Sequence, residues 1–347
     1  MKLNKKDSKL LYALAQNSRS NLKQLAQISQ FSQESVQKKI IQFKQQNIIL
    51  SYSTPINIAQ TFGLQEYIAF LSLAPTSSNK YNQLIHYLEH SQYTSWIGKG
   101  IGVYDIKLSV YIQHTEQLSE FEQEIHSNFS TLIHTIEWNQ LIKKYKNSSS
   151  SIISNCLNDS NNQTINNTLS KNIQKHTTPQ SSSQLSSQSL NMQKLQKLQK
   201  IQKQILYELS DNSRITLQEL STKLNTTIEN IHYHVKKLQQ LQVITHFTIT
   251  LNTTYFEQYA TILLLKIHSS NLHAIIQELL THTNITSIIE VIGTYNLHIT
   301  FLHNSIHNIY EEINSIISKY YNEIISSHHF FTHSFYKYPK LPSIILQ

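Results

Sequence analysis

The chain has 347 residues, enough for two to four domains that each bury a core of their own. Its single cysteine, Cys156, cannot form an intrachain disulfide, which favours a reducing compartment. The first residues lack an apolar signal core, and no apolar stretch approaches the roughly 20 residues that a membrane helix needs. We therefore expect a cytoplasmic protein with no membrane partner.

The net charge of +8 is concentrated in two short segments. Residues 1–60 contain nine Lys and Arg against two Asp and Glu, and residues 191–258 contain eight against five. Concentrated basic charge is typical of phosphate-binding modules, although a plain solvated surface has the same composition.

A long internal repeat organises the sequence. The segment Leu11–Arg19 recurs as Leu206–Arg214, and the offset of 195 residues holds without a gap from Leu3 to Asn57. Further on, Gly102-Val103-Tyr104-Asp105 matches Gly293-Thr294-Tyr295-Asn296. The chain therefore contains two copies of one two-domain unit.

Residues 1–60 are predicted to form three short helices and a β-hairpin, which is a winged helix-turn-helix domain. Ser32 is a good N-cap for the third helix, and the hairpin is predicted from Ile48–Tyr52 and Ile56–Ile58. In such a domain the third helix enters the major groove of DNA. Its predicted outward residues, the candidate DNA contacts, are Gln33, Ser35, Gln37, Lys38, Lys39 and Lys44. Ordinary solvated helix residues remain the alternative.

Residues 61–146 are predicted to form a ferredoxin-like domain with the order strand-helix-strand-strand-helix-strand. The predicted strands are Tyr67–Leu73, Tyr93–Ile97, Tyr104–Ile112 and Leu132–Tyr145. Residues 147–192 follow and consist mainly of Ser, Asn, Gln and Thr, which predicts a disordered linker. The lysine-rich stretch Lys194–Lys203 is interpreted as an extension of the next helix, with a short coiled coil or a basic DNA-contacting arm as alternatives.

The second unit repeats this order. Residues 193–256 predict a second winged helix-turn-helix domain with Thr227 as the N-cap of its third helix. Residues 257–347 predict a second ferredoxin-like domain, with strands Tyr259–Ile267, Ile285–Ile292, Tyr295–Leu302 and Glu323–Tyr336. The candidate DNA contacts of this copy are Asn230, His232, Tyr233, Lys236 and Lys237. The expected fold class is thus α+β, a tandem repeat of a winged helix-turn-helix plus a ferredoxin-like (βαββαβ) regulatory domain, joined by a disordered linker.

Each half resembles the Lrp/AsnC (feast/famine) family of transcription regulators. The resemblance rests on landmarks in order, among them Asn17-Ser18-Arg19-Ser20, Gln24-Leu25-Ala26, Phe31-Ser32 and Ile48–Tyr52. Two departures stand out. Where the family usually has a glycine after the third helix, the first copy has Asn47 and the second has Gln242, which predicts strain or a different turn at Gln242. Where the family usually has an arginine in the third helix, the two copies have Lys39 and His234. The second module is therefore expected to bind DNA more weakly.

The resemblance implies a regulator that binds double-stranded DNA and responds to a small molecule such as an amino acid. It places the effector site near the two hairpins, at Gly102, Tyr104, Asp105, Gly293, Tyr295 and Asn296, although a plain hairpin turn also explains the glycines. It also implies that the sheets of the two ferredoxin-like domains, here termed the sensor domains, pair with each other. The pair forms either as an intramolecular pseudo-dimer or in a homo-oligomer.

Two other functions remain open. Siroheme decarboxylases resemble this architecture but typically have a histidine two residues before the Tyr-Asn of the hairpin, where this chain has Gly102 and Gly293. A scaffold without DNA binding is the other alternative. Histidines are potential metal ligands. His303 and His307 are interpreted as sharing one helical face, and the last strand contains His328, His329 and His333. No Cys, Asp or Glu residues accompany them at the spacing of a metal site. We expect no catalytic residues, cofactor or metal.

Overall fold

The computed structural model describes residues 3–147 and 198–346. The first unit contains, in chain order, α1 (Lys5–Gln16), α2 (Leu22–Ser29), α3 (Gln33–Gln45), β1 (Ile49–Ser53), α4 (Ile58–Phe62), β2 (Gln65–Leu73), α5 (Ser78–His90), β3 (Thr94–Gly102), β4 (Ile106–Ile112), α6 (Thr115–Phe129) and β5 (Ile133–Asn147).

The second unit repeats this order with one substitution, a 3₁₀ turn in place of α4. It contains α7 (Lys200–Asp211), α8 (Leu217–Lys223), α9 (Ile228–Gln240), β6 (Thr248–Leu251), a 3₁₀ turn (Thr253–Phe256), β7 (Tyr259–Ile267), α10 (Leu272–Leu279), β8 (Ile285–Gly293), β9 (Leu297–His303), α11 (Ile306–Lys319), β10 (Ile324–Lys337) and a second 3₁₀ turn (Ser343–Leu346). The predicted linker, from residue 148 onward, and the lysine-rich stretch up to residue 197 lie outside the described residues.

The third helix of each winged domain begins at a side-chain cap and buries one apolar stripe. The Asn4 side chain accepts hydrogen bonds from the first turn of α1, and Asp7 bonds back to the Asn4 backbone in a capping box. Ser32 and Thr227 cap α3 and α9 as predicted. The caps fix where each third helix starts, and the buried stripe fixes which face points outward.

The predicted wing hairpin is wrong. Residues from Ile58 form the short helix α4, and β1 pairs antiparallel with β6 of the second unit, with Tyr52 opposite Ile249. A local hairpin and this exchanged pairing both satisfy strand hydrogen bonds, so the local sequence does not discriminate between them. The exchanged pair also buries Ile249 and Leu251 in the core of the first winged domain. Burial therefore favours exchange.

The exchange extends to the segments that follow the wings. Tyr255 and Phe256 of the second unit pack against the first winged core, whereas Ile58 of the first unit is buried in the second winged core. The C-terminal residues Leu341 and Ile344 join that second core as well. The two winged domains are therefore interlocked.

The eight remaining strands form one closed barrel in the order β10-β3-β4-β2-β5-β8-β9-β7. Each ferredoxin-like sheet contributes four neighbouring strands, and the barrel closes because the last strand of each sheet pairs with the second strand of the other, β5 with β8 and β10 with β3. The two ferredoxin-like domains therefore pair within one chain, which is the intramolecular one of the two predicted arrangements. Closure leaves the barrel strands without free edges.

Two kinds of core hold the barrel together. The helices of each unit cover the outer face of their own sheet, around Phe121 in the first unit and Phe301 in the second. The interior is filled by residues of both units, including Phe70, Tyr104, Tyr295 and Phe330. The side chains that meet inside the barrel are therefore far apart in the sequence.

The turns after α3 and α9 have the same left-handed backbone. Asn47 has a φ of 53° and Gln242 a φ of 58°. The predicted alternative of a different turn at Gln242 is therefore wrong, and glutamine adopts a conformation that costs a side chain about 1 kcal/mol or more.

Candidate DNA-binding surface and sensor barrel

The two winged domains meet at positions that are equivalent in the repeat. Ser18 Oγ and Ser213 Oγ lie 2.7 Å apart in a buried hydrogen bond. The Arg19 guanidinium donates to the Ser213 carbonyl at 2.9 Å, and the Arg214 guanidinium donates to the Ser18 carbonyl at 2.6 Å. Together with the β1–β6 ladder, these contacts fix the two third helices relative to each other. The sequence patterns give Ser18 and Arg19 as family landmarks and assign them no contact; the recurrence of both residues at an offset of 195 was the available signal for one.

The outward face of α3 is polar and cationic. Gln33, Gln37, Lys38 and Lys44 are exposed, and Lys38 pairs with Glu34 of the preceding turn at 2.6 Å. Ser35 is half-buried and bonds to the capping Ser32. The side chains free to approach a DNA groove are therefore two glutamines and two lysines, whose DNA contacts remain a prediction.

Lys39 does not face outward, contrary to the prediction. Its ammonium lies 3.1 Å from a carboxylate oxygen of Asp7, which is fully buried. Lys39 therefore joins α3 to α1. Lys39 lies at the boundary between the outward and inward faces of α3. The buried carboxylate of Asp7 on α1 determines that the lysine side chain turns inward.

The outward face of α9 carries different side chains. His232, Tyr233 and Lys236 are exposed, with the Tyr233 side chain 58% exposed. Lys237 is half-buried with its ammonium 6.0 Å from the Tyr233 ring, and Asn230 bonds to Thr226 in the preceding turn. At equivalent positions the two faces therefore present Gln37 against His232 and Lys38 against Tyr233.

The buried pair between the first and third helices also differs between copies. Gln202 and His234 occupy the positions of Asp7 and Lys39, and both are buried. Burial, followed by the charge of Lys237, lowers the pKa of His234, so the imidazole is neutral at pH 7. One winged domain thus uses an ion pair where the other uses two neutral side chains.

The hairpin residues assigned to the effector site divide into two groups. Tyr104 and Tyr295 point into the barrel, 2% and 1% exposed, with their hydroxyl oxygens 2.5 Å apart. Asp105 and Asn296 accept hydrogen bonds from the backbone N–H of Leu73 and Ile267. These four side chains therefore hold the barrel together in this structure. Their role in effector binding remains a prediction.

Both hairpin glycines are required by close packing. A Cβ atom on Gly102 would lie 2.8 Å from the His329 carbonyl oxygen, and one on Gly293 would lie 2.6 Å from the Trp138 carbonyl oxygen. Gly102 also has a φ of 140°, which side chains rarely adopt. A larger residue at either position needs a backbone shift.

The barrel interior contains titratable groups that the sequence patterns did not reveal. Lys107 and His298 lie at equivalent positions of β4 and β9, and His298 is fully enclosed with neither ring nitrogen hydrogen-bonded. Burial, followed by the charge of Lys107, lowers the pKa of His298 well below its ordinary value. Alternation along the strands was the available signal, because both residues point away from the outer helices.

The histidines of the second unit lie on separate elements. His303 ends β9 and His307 begins α11, so the interpretation of one shared helical face is wrong. His303 Nε2 lies 2.5 Å from Glu312, and His328 contacts the Tyr295 hydroxyl at 3.1 Å. Within the described residues no group of three potential ligands is arranged to hold a metal, and no helix is long and apolar enough to cross a membrane.

The fold and the two exposed third helices define a DNA-binding protein with paired winged helix-turn-helix domains above a closed β-barrel. A family model described as winged helix-turn-helix DNA-binding matches residues 198–245. An uncharacterized HTH-type transcriptional regulator of Pyrococcus furiosus is 30% identical over 119 residues, which is 33% of this chain and 80% of the relative. Another, from Pyrococcus abyssi, is 33% identical over 100 residues, which is 28% of this chain and 68% of the relative. The chain therefore belongs to the HTH-type transcriptional regulators.

A solved structure shares the tandem architecture. The siroheme decarboxylase NirDL superposes with a TM-score of 0.58 over 97% of this chain and 94% of its own, at 8% sequence identity. At that identity the likeness establishes the fold alone. It confirms the predicted tandem arrangement.

Proposed function

We propose that this chain binds an asymmetric operator as one intramolecular pair of unlike winged helix-turn-helix domains. The observation that carries the proposal is the contrast between the two outward faces at equivalent positions. Gln33, Gln37 and Lys38 on α3 correspond to Ile228, His232 and Tyr233 on α9, and all six are exposed. Glutamine suits adenine edges, whereas isoleucine and tyrosine favour apolar contact, so the half-sites differ in sequence.

The interlocked winged domains support a single reading unit. The serine–serine and arginine–carbonyl contacts and the β1–β6 ladder connect the domains within one chain. A second chain is therefore not needed to present two third helices. We expect two half-sites whose centres are about one helical turn, roughly 10 base pairs, apart.

The test is selection from random double-stranded DNA at physiological salt, followed by footprinting. The expected result is a bipartite, non-palindromic site bound by one chain of 40.3 kDa, about 10³-fold tighter than unrelated DNA. Equal, steeply salt-dependent binding to all sequences would contradict the proposal and indicate a nonspecific role. No binding at all would favour a scaffold.

Exchange of one face gives a sharper test. The triple variant Gln33→Ile, Gln37→His, Lys38→Tyr gives α3 the outward face of α9. Because these positions are exposed, the fold should persist, and the selected site should become a repeat of the second half-site. As a control, Gln45→Ala changes an exposed residue of the last helical turn and should leave the selected sequence unchanged.

We further propose that the chain is not a decarboxylase and that it acts in the cytoplasm. Glycine stands at both positions where the siroheme decarboxylases typically have histidine, and both positions are closely packed against backbone carbonyls. Incubation with siroheme and inspection of the porphyrin absorbance tests the point. Turnover of siroheme would overturn the proposal.

An amino acid is the expected effector, on the family resemblance.

A further inference from the structure

A cavity of about 390 Å³ lies between the paired wings and the sensor barrel. Its walls come from three parts of the chain: Thr250 and Leu251 of the wing strand β6, Tyr111 and Lys144 of the first sensor domain, and Phe335 with Lys340 near the C-terminus. The volume falls within the range of small-molecule sites. It is distinct from the hairpin positions to which the family resemblance assigns the effector.

Most hydroxyl groups in its walls already have partners. Thr54 donates to the Leu209 carbonyl at 2.9 Å, Thr248 to the Ala15 carbonyl at 2.8 Å, and Ser95 to the Lys340 carbonyl at 2.6 Å. The rest of the wall is largely apolar, from residues such as Ile56, Ile249 and Phe335. The body of a ligand that fits is therefore apolar, and its polar recognition falls to the lysines.

The charges at the barrel end of the cavity are not balanced. Lys144 Nζ lies 2.8 Å from Glu66, which is 9% exposed. Lys107 lies in the barrel interior, outside the cavity wall, with its ammonium 5.2 Å from the Trp96 ring and 5.9 Å from the Phe70 ring. Within the described residues Lys107 has no carboxylate at ion-pair distance, so Glu66 pairs with Lys144 alone and acts on Lys107 only through the longer-range attraction of its charge.

Lys107 nevertheless keeps its charge near neutral pH. Burial lowers the pKa of Lys107 to about 8, with Glu66 opposing that shift and Lys144 adding to it. The ammonium therefore remains mostly protonated at pH 7. An enclosed cation without its own counter-ion is costly, and an added anion would relieve that cost. By contrast, Lys340 on the rim has its own partner, Asp211, at 2.9 Å.

We propose that this cavity binds a small organic monoanion, a carboxylate with an apolar body, at Lys144, the wall lysine that pairs with Glu66. The carboxylate contacts Lys144, the apolar body occupies the space below the wings, and Glu66 is left to offset the charge of Lys107. Because the walls belong to both the winged pair and the barrel, an occupant contacts the DNA-reading and the sensor parts together. The site does not depend on DNA binding, so the two proposals fail separately.

The first experiment is calorimetric titration of the full chain, without DNA, with octanoate and with octanamide. These probes share an apolar body and differ in charge. The expected result is that octanoate binds roughly tenfold tighter than octanamide, as a charge-assisted contact requires. Equal affinities, or no heat from either probe at millimolar concentration, would overturn the proposal.

Variants then locate the site. Lys144→Met should weaken octanoate roughly tenfold, and Glu66→Gln should strengthen it several-fold because a competing carboxylate is removed. Lys143→Met, at an exposed neighbour, is the matched control and should change nothing. Thr250→Trp fills the cavity without changing its charge and should abolish binding of both probes. This variant tests the site independently, even if a charge variant fails to fold. Unchanged binding in Lys144→Met and Thr250→Trp would overturn the assignment.

Discussion

Lys39 illustrates how a single buried carboxylate redirects a residue that the sequence pattern places on the outside. Its ammonium binds Asp7, and the second copy has replaced both partners together, with Gln202 and His234 at the same positions. The paired replacement within one chain indicates that the two positions are energetically coupled. Uncoupling them is expected to be costly, because a lone charge would remain buried.

We expect Lys39→Met to destabilise the first winged domain by about 2–4 kcal/mol, since it leaves Asp7 buried without a counter-ion. The double variant Asp7→Gln, Lys39→His reproduces the pair of the second copy and should recover most of that loss. Amide hydrogen exchange in α1 and α3 measures the local stability, with α7 and α9 as internal controls. A double variant as unstable as the single one would show that the two positions are not coupled.

At the scale of elements, α11 is held against its sheet by a polar contact that has no counterpart among the described residues of the first unit. Glu312 on α11 contacts His303 at the end of β9 at 2.5 Å and His282 after α10 at 3.5 Å, and Asn284 donates to it at 3.3 Å. In the first unit, α6 buries Leu118, Phe121 and Ile125 against its sheet. The second unit has therefore added a pH-dependent contact to an apolar packing scheme.

This contact predicts acid sensitivity of the second sensor domain. Burial raises the pKa of Glu312. The hydrogen bond and charge of His303, together with hydrogen bonds from Asn284 and His282, lower the pKa by more than burial raises it, so the pKa lies below its ordinary value of 4.5. For a carboxyl with a lowered folded pKa, the stabilisation is present above the ordinary pKa and is lost as the pH falls through the folded value. Wild type should therefore exceed Glu312→Gln in melting temperature at pH 6, and the difference should shrink below about pH 4.5. Glu311→Gln removes an exposed pair with His307, which solvent screens, so this variant should show little of the trend.

At the scale of the whole molecule, the two units are joined by contacts that do not depend on the chain between them. The barrel closes through β5–β8 and β10–β3, and the wings pair through β1–β6. Tyr104 and Tyr295 meet inside the barrel. The second unit therefore acts as the dimer partner of the first.

Co-expression of residues 1–147 and 198–347 as separate chains is expected to give a stable one-to-one complex. The reason is that each half would otherwise expose barrel strands and an unpaired wing strand. Size-exclusion chromatography with light scattering measures the stoichiometry. Homodimers of either half in place of the mixed complex would contradict the expectation that unlike halves prefer each other.

The sequence by itself determined the local structure and its order. Caps such as Ser32 and Thr227, apolar spacing in the third helices and alternation in the sensor strands depend on near neighbours, and the structure has these elements where the patterns predict them. The repeat also predicted two copies of one unit, because it can be read directly from the residues. The exposed residues of α3 and α9 follow from the same periodicity.

Only the tertiary structure decided which partner each element takes. The wing strand pairs across the two units and not within one, Lys39 turns to Asp7, and Tyr104 and Tyr295 meet in the barrel interior. Glu66 and Lys144 come together for the same reason. In each case several partners satisfy the local hydrogen bonds equally well, and the choice depends on burial between residues that are distant in the sequence.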